Sequence, residues 1–190
     1  EVISDATNGD NTIAVSGEGV DRIVSLSGSL DFGDVELDDT AMGTLVIANN
    51  GNRTLNVTGI NYPEGFSGAF SGEIAAGGSQ EVSVTFAPTA AQSYAGNIEV
   101  SSDATSGEAF IPVSGEGIER VIALSGNLDF GDVIVDDSDT ATLTVTNNGN
   151  RALDVTGINY PEGFSGAFSG AIAAGSSQDV QVTFNPAAAQ

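Results

Sequence analysis

Polar and apolar residues alternate along this chain in short runs. In Glu81-Val82-Ser83-Val84-Thr85-Phe86 the residues Val82, Val84 and Phe86 share one face and polar residues hold the other. Asp179-Val180-Gln181-Val182-Thr183-Phe184 repeats that arrangement, and Thr142-Leu143-Thr144-Val145-Thr146 follows the same period with β-branched residues that suit a half-buried pleat. No segment carries a sustained i, i+3, i+4, i+7 apolar pattern; Ala75-Ala76 and Thr89-Ala90-Ala91 allow one helical turn at most. Between the runs stand turn signals. Asn50-Gly51 and Asn148-Gly149 read as type I′ hairpin dipeptides, whose central positions need φ > 0. One stretch of about a hundred residues thus predicts about seven strands, near 30–35, 44–48, 55–60, 69–74, 81–86, 96–101 and 109–114.

That number of short strands indicates an all-β immunoglobulin-like sandwich, with a closed barrel as the alternative. The inward residues are expected to be Phe32, Val35, Leu45, Ile47, Leu55, Val57, Ile60, Phe66, Phe70, Val82, Val84, Phe86, Ile98, Val100, Ile111 and Val113. A Cys–Trp–Cys pin is missing, so the domain is not of the antibody type.

The alternation itself repeats. A fixed offset of 98 residues separates Phe32 from Phe130, Tyr62 from Tyr160 and Phe86 from Phe184. Residues 1–92 align with 99–190 without a gap and agree at 63 of 92 positions, enough to make each period one domain of a tandem array. The phase of the repeat is informative. Residues 1–19 match 99–117, the tail of a period, which divides the chain into terminal strands (1–19), a complete domain (20–117) and a domain lacking its last strands (118–190). Val2, Ile13 and Val15 reproduce the inward residues of those strands. The expectation is that they are donated to a neighbouring copy, into a groove formed by Phe130, Val133, Leu143, Val145, Val180, Val182 and Phe184. Such a head-to-tail contact does not close, so it builds a filament of copies of this chain. The alternative is a window of one long covalent array that binds a surface glycan or protein.

The string Leu-Asp-Phe-Gly-Asp-Val, then Thr-Leu-Thr-Val-Thr-Asn-Asn-Gly-Asn, then Ala-Gly-Ser-Ser-Gln running to Val-Thr-Phe-Asn-Pro, resembles the ASH (abnormal spindle/hydin) domains. It is especially similar to the bacterial tandem type called choice-of-anchor D. The closing Ile111-Pro112-Val113-Ser114-Gly115-Glu116-Gly117 resembles that family's last strand. The resemblance spans the whole repeat. It implies an Ig-like sandwich related to major sperm protein and pilus chaperones, used in long extracellular arrays, with no catalytic residues.

Composition narrows the chemistry. Without His, Cys or Lys there is no Ser–His–Asp triad, no Cys–His pair, no Schiff base and no Lys–Asn isopeptide staple, so an enzyme is not expected. Against 26 acidic residues stand four arginines, and the net charge of −22 repels nucleic-acid phosphates and anionic membranes. No apolar run reaches the ~20 residues of a membrane span. This lysine-free, cysteine-free composition fits an exported prokaryotic surface protein. No cofactor is expected, although Asp136, Asp137 and Asp139 are candidate Ca²⁺ ligands in an aspartate-rich loop.

The remaining motifs have structural readings. Val113-Ser114-Gly115-Glu116-Gly117 reads as an interdomain hinge, and Arg22 and Arg120 behind it are expected to pair with carboxylates or pack at the junction. Arg53 and Arg151 are expected to face solvent beside the Asn-Gly turns. The loop 61–68 places Phe66 at the end of the sandwich, or else offers Tyr62 to a ligand. Asn52-Arg53-Thr54 and Asn56-Val57-Thr58 satisfy the N-glycosylation sequon.

Overall fold

The computed structural model describes residues 1–189, so Gln190, the final residue of the expected second domain, lies outside the described residues. Strands and turns make up the chain, and no helix occurs among the described residues. The first unit holds β1 (Ile23–Ser27), β2 (Asp31–Glu36), β3 (Ala41–Asn49), β4 (Leu55–Asn61), β5 (Phe66–Ser67), β6 (Gly72–Ile74), β7 (Ser79–Phe86), β8 (Ser93–Ser102), β9 (Ser106–Gly107) and β10 (Phe110–Ile118). They form two five-stranded sheets, in the orders β5-β7-β3-β1-β9 and β2-β10-β8-β4-β6.

Alternation drives the stacking. Antiparallel pairing of β3 with β7 sets Leu45 opposite Val82 and Gly43 opposite Val84, so the inward residues of both strands share a face. That face, with Val24 and Phe86, meets Leu55, Val57, Ile98, Val100 and Val113 of the second sheet in one buried cluster. The core expected from the sequence is largely present, with Phe32, Ile60, Phe70 and Ile111 packed at its margin. Val24, Leu30, Ile74 and Tyr94 join it unforeseen. Val24 lies on β1, a strand the sequence reading lacked because Ile-Val-Ser-Leu-Ser is brief and its alternation breaks at adjacent Ile23 and Val24. Of the expected strand at 69–74 only Gly72–Ile74 forms, as β6 paired with β4; β5 precedes it and pairs with β7, so the chain changes sheets across 68–71.

Two turn readings need correction. Asn50-Gly51 is not a hairpin, because β3 and β4 belong to different sheets, and neither residue has a positive φ. The site is a crossover held by Asn49, whose side chain is fully buried. Its Nδ2 donates to the carbonyls of Arg53 at 2.7 Å and Ile74 at 2.9 Å, while its Oδ1 accepts from Gly51 N at 3.0 Å. Gly51 serves close approach, since a Cβ there would lie 2.3 Å from the Asp21 carbonyl oxygen. Nor is 113–117 a hinge. It belongs to β10, which pairs antiparallel with β8 and parallel with β2. Gly115 is needed in this strand because a Cβ would stand 2.6 Å from the buried ring of Phe86.

The second unit has β11 (Ile122–Ser125), β12 (Asp139–Asn147), β13 (Leu153–Val155), β14 (Phe164–Ser165), β15 (Gly170–Ile172) and β16 (Ser177–Phe184). Its first sheet, β11-β12-β16-β14, reproduces the β1-β3-β7-β5 order. Its second is reduced to β13-β15. Among the described residues nothing takes the places of β8, β9 and β10, and residues 129–134, the counterpart of β2, form no strand.

Replacing Asn49 with Ala strands the Arg53, Ile74 and Ala75 carbonyls and the Gly51 amide in the crossover. The expected loss is roughly 2–3 kcal/mol of first-unit stability. Amide hydrogen exchange of the intact protein would show it as faster exchange confined to residues 23–118.

Candidate functional site

The second unit presents an open sheet face where the first is closed. Val24 is 1% exposed, whereas its counterpart Ile122 is 54% exposed; Leu30 at 4% corresponds to Leu128 at 40%. Ile134 and Val135 are exposed as well. The aromatic groups show the same difference. Phe32, Phe66 and Phe86 pack together in the first unit, and Tyr94 closes the group edge-on to Phe86 with ring centroids 5.3 Å apart. The Tyr94 hydroxyl accepts from the amides of Thr89 and Ala90 at 3.1 and 3.0 Å, which locks the ring over the group. Phe130, Phe164 and Phe184 keep the same mutual packing in the second unit. Beside them, in place of a tyrosine, lies a cleft of about 640 Å³ lined by residues 131–135, Phe164, Phe184 and Pro186.

The expected groove residues divide into two sets. Val145, Val180 and Val182 are already buried. Phe130, Val133, Leu143 and Phe184 are only half-buried and form the uncovered side. Ile122, Leu128 and Phe164 belong with them; the repeat offset identifies them once the first unit shows what covers Val24, Leu30 and Phe66. Residues 1–19 contain no strand, and Val2, Ile13 and Val15 are all exposed. The segment contacts itself, Val2 N donating to the Asn11 carbonyl at 2.7 Å.

The arginines lie at the seams of the molecule. Arg151 reaches across the junction between units and forks onto Asp34, with Nη2 at 2.5 Å from Oδ1 and Nε at 2.7 Å from Oδ2. The same guanidinium bonds Glu116 at 2.9 and 2.8 Å, so one cation bridges two carboxylates. Arg120 pairs with Glu36 across the same junction. Asn150 completes it, donating to the Gly117 carbonyl at 2.9 Å and accepting from Glu119 N at 2.9 Å. Arg53 faces solvent as expected, while also pairing with Glu18 at 2.9 Å; the expectation for Arg151 is corrected, since it is a half-buried bridging residue. Arg22 pairs with Asp103, in line with its expected carboxylate partner. The hydrogen bond from Arg151 holds the Asp34 carboxyl below its ordinary value, with the guanidinium charge adding to the effect. The two acids beside it raise the Arg151 pKa further.

Other candidates have structural roles. Among the described residues no group of acidic side chains is gathered to hold a metal ion, and Asp136, Asp137 and Asp139 sit in and beside a turn. Asp136 has a φ of 70°, as Asp38 has 69° at the equivalent position, a left-handed conformation that short Asp side chains tolerate. Asp137 N donates to the Ile134 carbonyl and the Asp139 carboxylate accepts from Thr140 N. In the loop 61–68, Phe66 is buried against Phe86, and the Tyr62 hydroxyl is buried without a partner, which pushes its pKa up. Asn52 of the first sequon spends its amide on the junction, donating to the Gly19 carbonyl and accepting from Asp21 N.

The sequence model of the HYDIN/CFA65/VesB-like, Ig-like domain family matches residues 22–116 and 121–190. The chain belongs to this family. A HYDIN/CFA65/VesB-like assignment agrees with the ASH resemblance, since hydin gives both their names. It places the chain among Ig-like structural domains. No curated protein matches the chain. Among solved structures it is similar to a protein of unknown function from Porphyromonas gingivalis W83, at 20% identity and a TM-score of 0.42, covering 85% of this chain and 83% of that one. It is also similar to the ASH/PapD-like domain 7 of human CEP192, at 17% identity and a TM-score of 0.41, over 60% of this chain and 98% of that one. Red sea bream transglutaminase matches at 13% identity with a TM-score of 0.31, over 89% of this chain and 27% of that one.

The junction should respond to acid. Asp34 titrates below its ordinary value of 3.8, so its link to Arg151 is complete above that pH and is lost as pH falls through the lower, folded value. Residual dipolar couplings of the two units should report one shared orientation at neutral pH and independent orientations in strong acid. Asp34→Ala with Arg151→Ala should give that looser joint already at neutral pH.

Proposed function

We propose that this chain is a non-enzymatic structural subunit of an extracellular, prokaryotic fibre, assembled head to tail by strand donation. In this reading residues 1–19 leave their own subunit and complete domain 118–190 of the next copy, while 20–117 is a self-sufficient sandwich. The open face of the second unit carries the reading, because the residues it leaves uncovered are those that β8, β9 and β10 cover in the first. Residues 1–19 repeat the sequence of that cover: Ala6 to Gly9 correspond to 104–107, and Thr12 to Gly19 to 110–117. Each large aliphatic side chain so buried contributes about 1.5–3 kcal/mol. An unpaired sheet edge in a concentrated solution seeks such a strand. Copies of the chain are the partners; nucleic acid and membrane insertion have no place in the reading, and it needs no cofactor. No helix among the described residues is long and apolar enough to cross a membrane.

One observation favours a second reading. Residues 1–19 contain no counterpart of 93–98, so a donated segment leaves the Tyr94 position beside Phe184 unfilled. A covalent array supplies that tyrosine within one continuous polypeptide, and its sandwiches are strung in the same way.

Electron microscopy and a denaturing gel separate the two. Strand donation predicts fibres that dissolve in detergent to a single species near 19.1 kDa. Deletion of residues 1–16 should leave monomers. Fibres that instead resolve as one very large polypeptide would establish the covalent array.

A further inference from the structure

The internal junction is built twice, once in full and once in part. Glu116, Gly117, Glu119, Asn150 and Arg151 make the full version. One period earlier, Glu18 meets Arg53 at 2.9 Å, Asn52 donates to the Gly19 carbonyl at 2.8 Å, and Asp21 N donates to Asn52 Oδ1 at 2.9 Å. Every one of these contacts has its counterpart at an offset of 98 residues. Residues 18–21 therefore dock on the first unit as 116–119 dock on the second. One partner is missing from the early version. Arg151 also grips Asp34, which β2 presents beside Glu116 through its parallel pairing with β10. Among the described residues Arg53 has no such second carboxylate, and its side chain is 48% exposed against 31% for Arg151.

The counterpart of Asp34 is Asp132, which lines the open cleft of the second unit. We infer that Arg53 grips Asp132 of a second copy of this chain, forming between copies the bridge that Arg151 forms within one. This inference rests on the donated-strand reading. If 12–20 of one copy lie along 129–134 of another in the register that pairs β10 with β2, Glu18 falls opposite Asp132. Two carboxylates then face each other in a chain of net charge −22, and Arg53 is the cation positioned to join them. Charge complementarity thus selects a second copy over an unrelated apolar strand. The second internal pair has no intermolecular equivalent, because the partner of Arg120 is Glu36 and the counterpart of Glu36 is Ile134. The joint between copies therefore depends on one arginine where the internal joint has two.

Sedimentation velocity of the full chain over a range of concentrations tests this. Arg53→Glu gathers three carboxylates at the joint and should raise the concentration for half-assembly by about tenfold or more; Asp132→Arg is the compensating change. The combined exchange again places one arginine between two carboxylates and should restore assembly. Asp132 is exposed in the second unit, so its substitution reads the contact without disturbing a core. Assembly that ignores the residue at 53 and at 132 would overturn the bridge and leave strand donation standing. A wild-type chain that stays monomeric at all concentrations would overturn both.

Discussion

The backbone ladder between β10 and β2 is the contact on which the rest of the first unit depends. It runs parallel, Gly117 beside Val35 and Ile118 beside Glu36, and so ties the end of a period to its beginning. β10 also pairs with β8, which in turn holds β4. Remove β10 and both β2 and β8 lose a partner. The chain contains this comparison in itself: in the second unit, where none of the described residues takes the place of β8 and β10, the second sheet has two short strands, and Leu128 and Ile122 are exposed.

Local sequence does not account for the difference. Leu-Asp-Phe-Gly-Asp-Val occurs unchanged at 30–35 and at 128–133, yet 31–36 is a strand and 129–134 is not. The intrinsic preferences of these residues are identical in the two places, so pairing decides the outcome. This is the usual condition of a strand, whose hydrogen bonds are all supplied by others. The aromatic trio survives in the second unit because Phe130, Phe164 and Phe184 are held by short-range geometry within the first sheet and its loops.

That dependence also explains what could be read in advance. β7 and β16 were legible because Val82, Val84 and Phe86 write their burial into a two-residue period. The fold followed from enough such runs. Asn49 was not legible, since a polar residue at a strand end looks like a turn former, and only the structure reveals three carbonyls converging on its amide. The repeat could have hinted at it, because Asn147 is kept at the same position and buried in the same way. The glycines of 113–117 suggested freedom, whereas Phe86 against Gly115 and the Ala90 carbonyl against Gly117 leave no room for a side chain at either. The Arg151–Asp34 bridge was beyond reach, because its partners are 117 residues apart and meet only when one unit is docked on the next.

The placement of charge gives direction to this architecture. Each of the four arginines pairs with a carboxylate where separate segments meet: Arg22 with Asp103, Arg53 with Glu18, Arg120 with Glu36, and Arg151 with Asp34 and Glu116. Elsewhere the surface is acidic without compensation. Two such units approaching side by side bring like charges together over a broad area, and that repulsion weakens only when salt shortens its range. End to end, the same units meet through arginines that lie between carboxylates. Exposed ion pairs contribute little to stability one at a time, so their effect here is selective: Arg120 and Arg151 offset the repulsion of like charges at the internal junction, where the two acidic units meet.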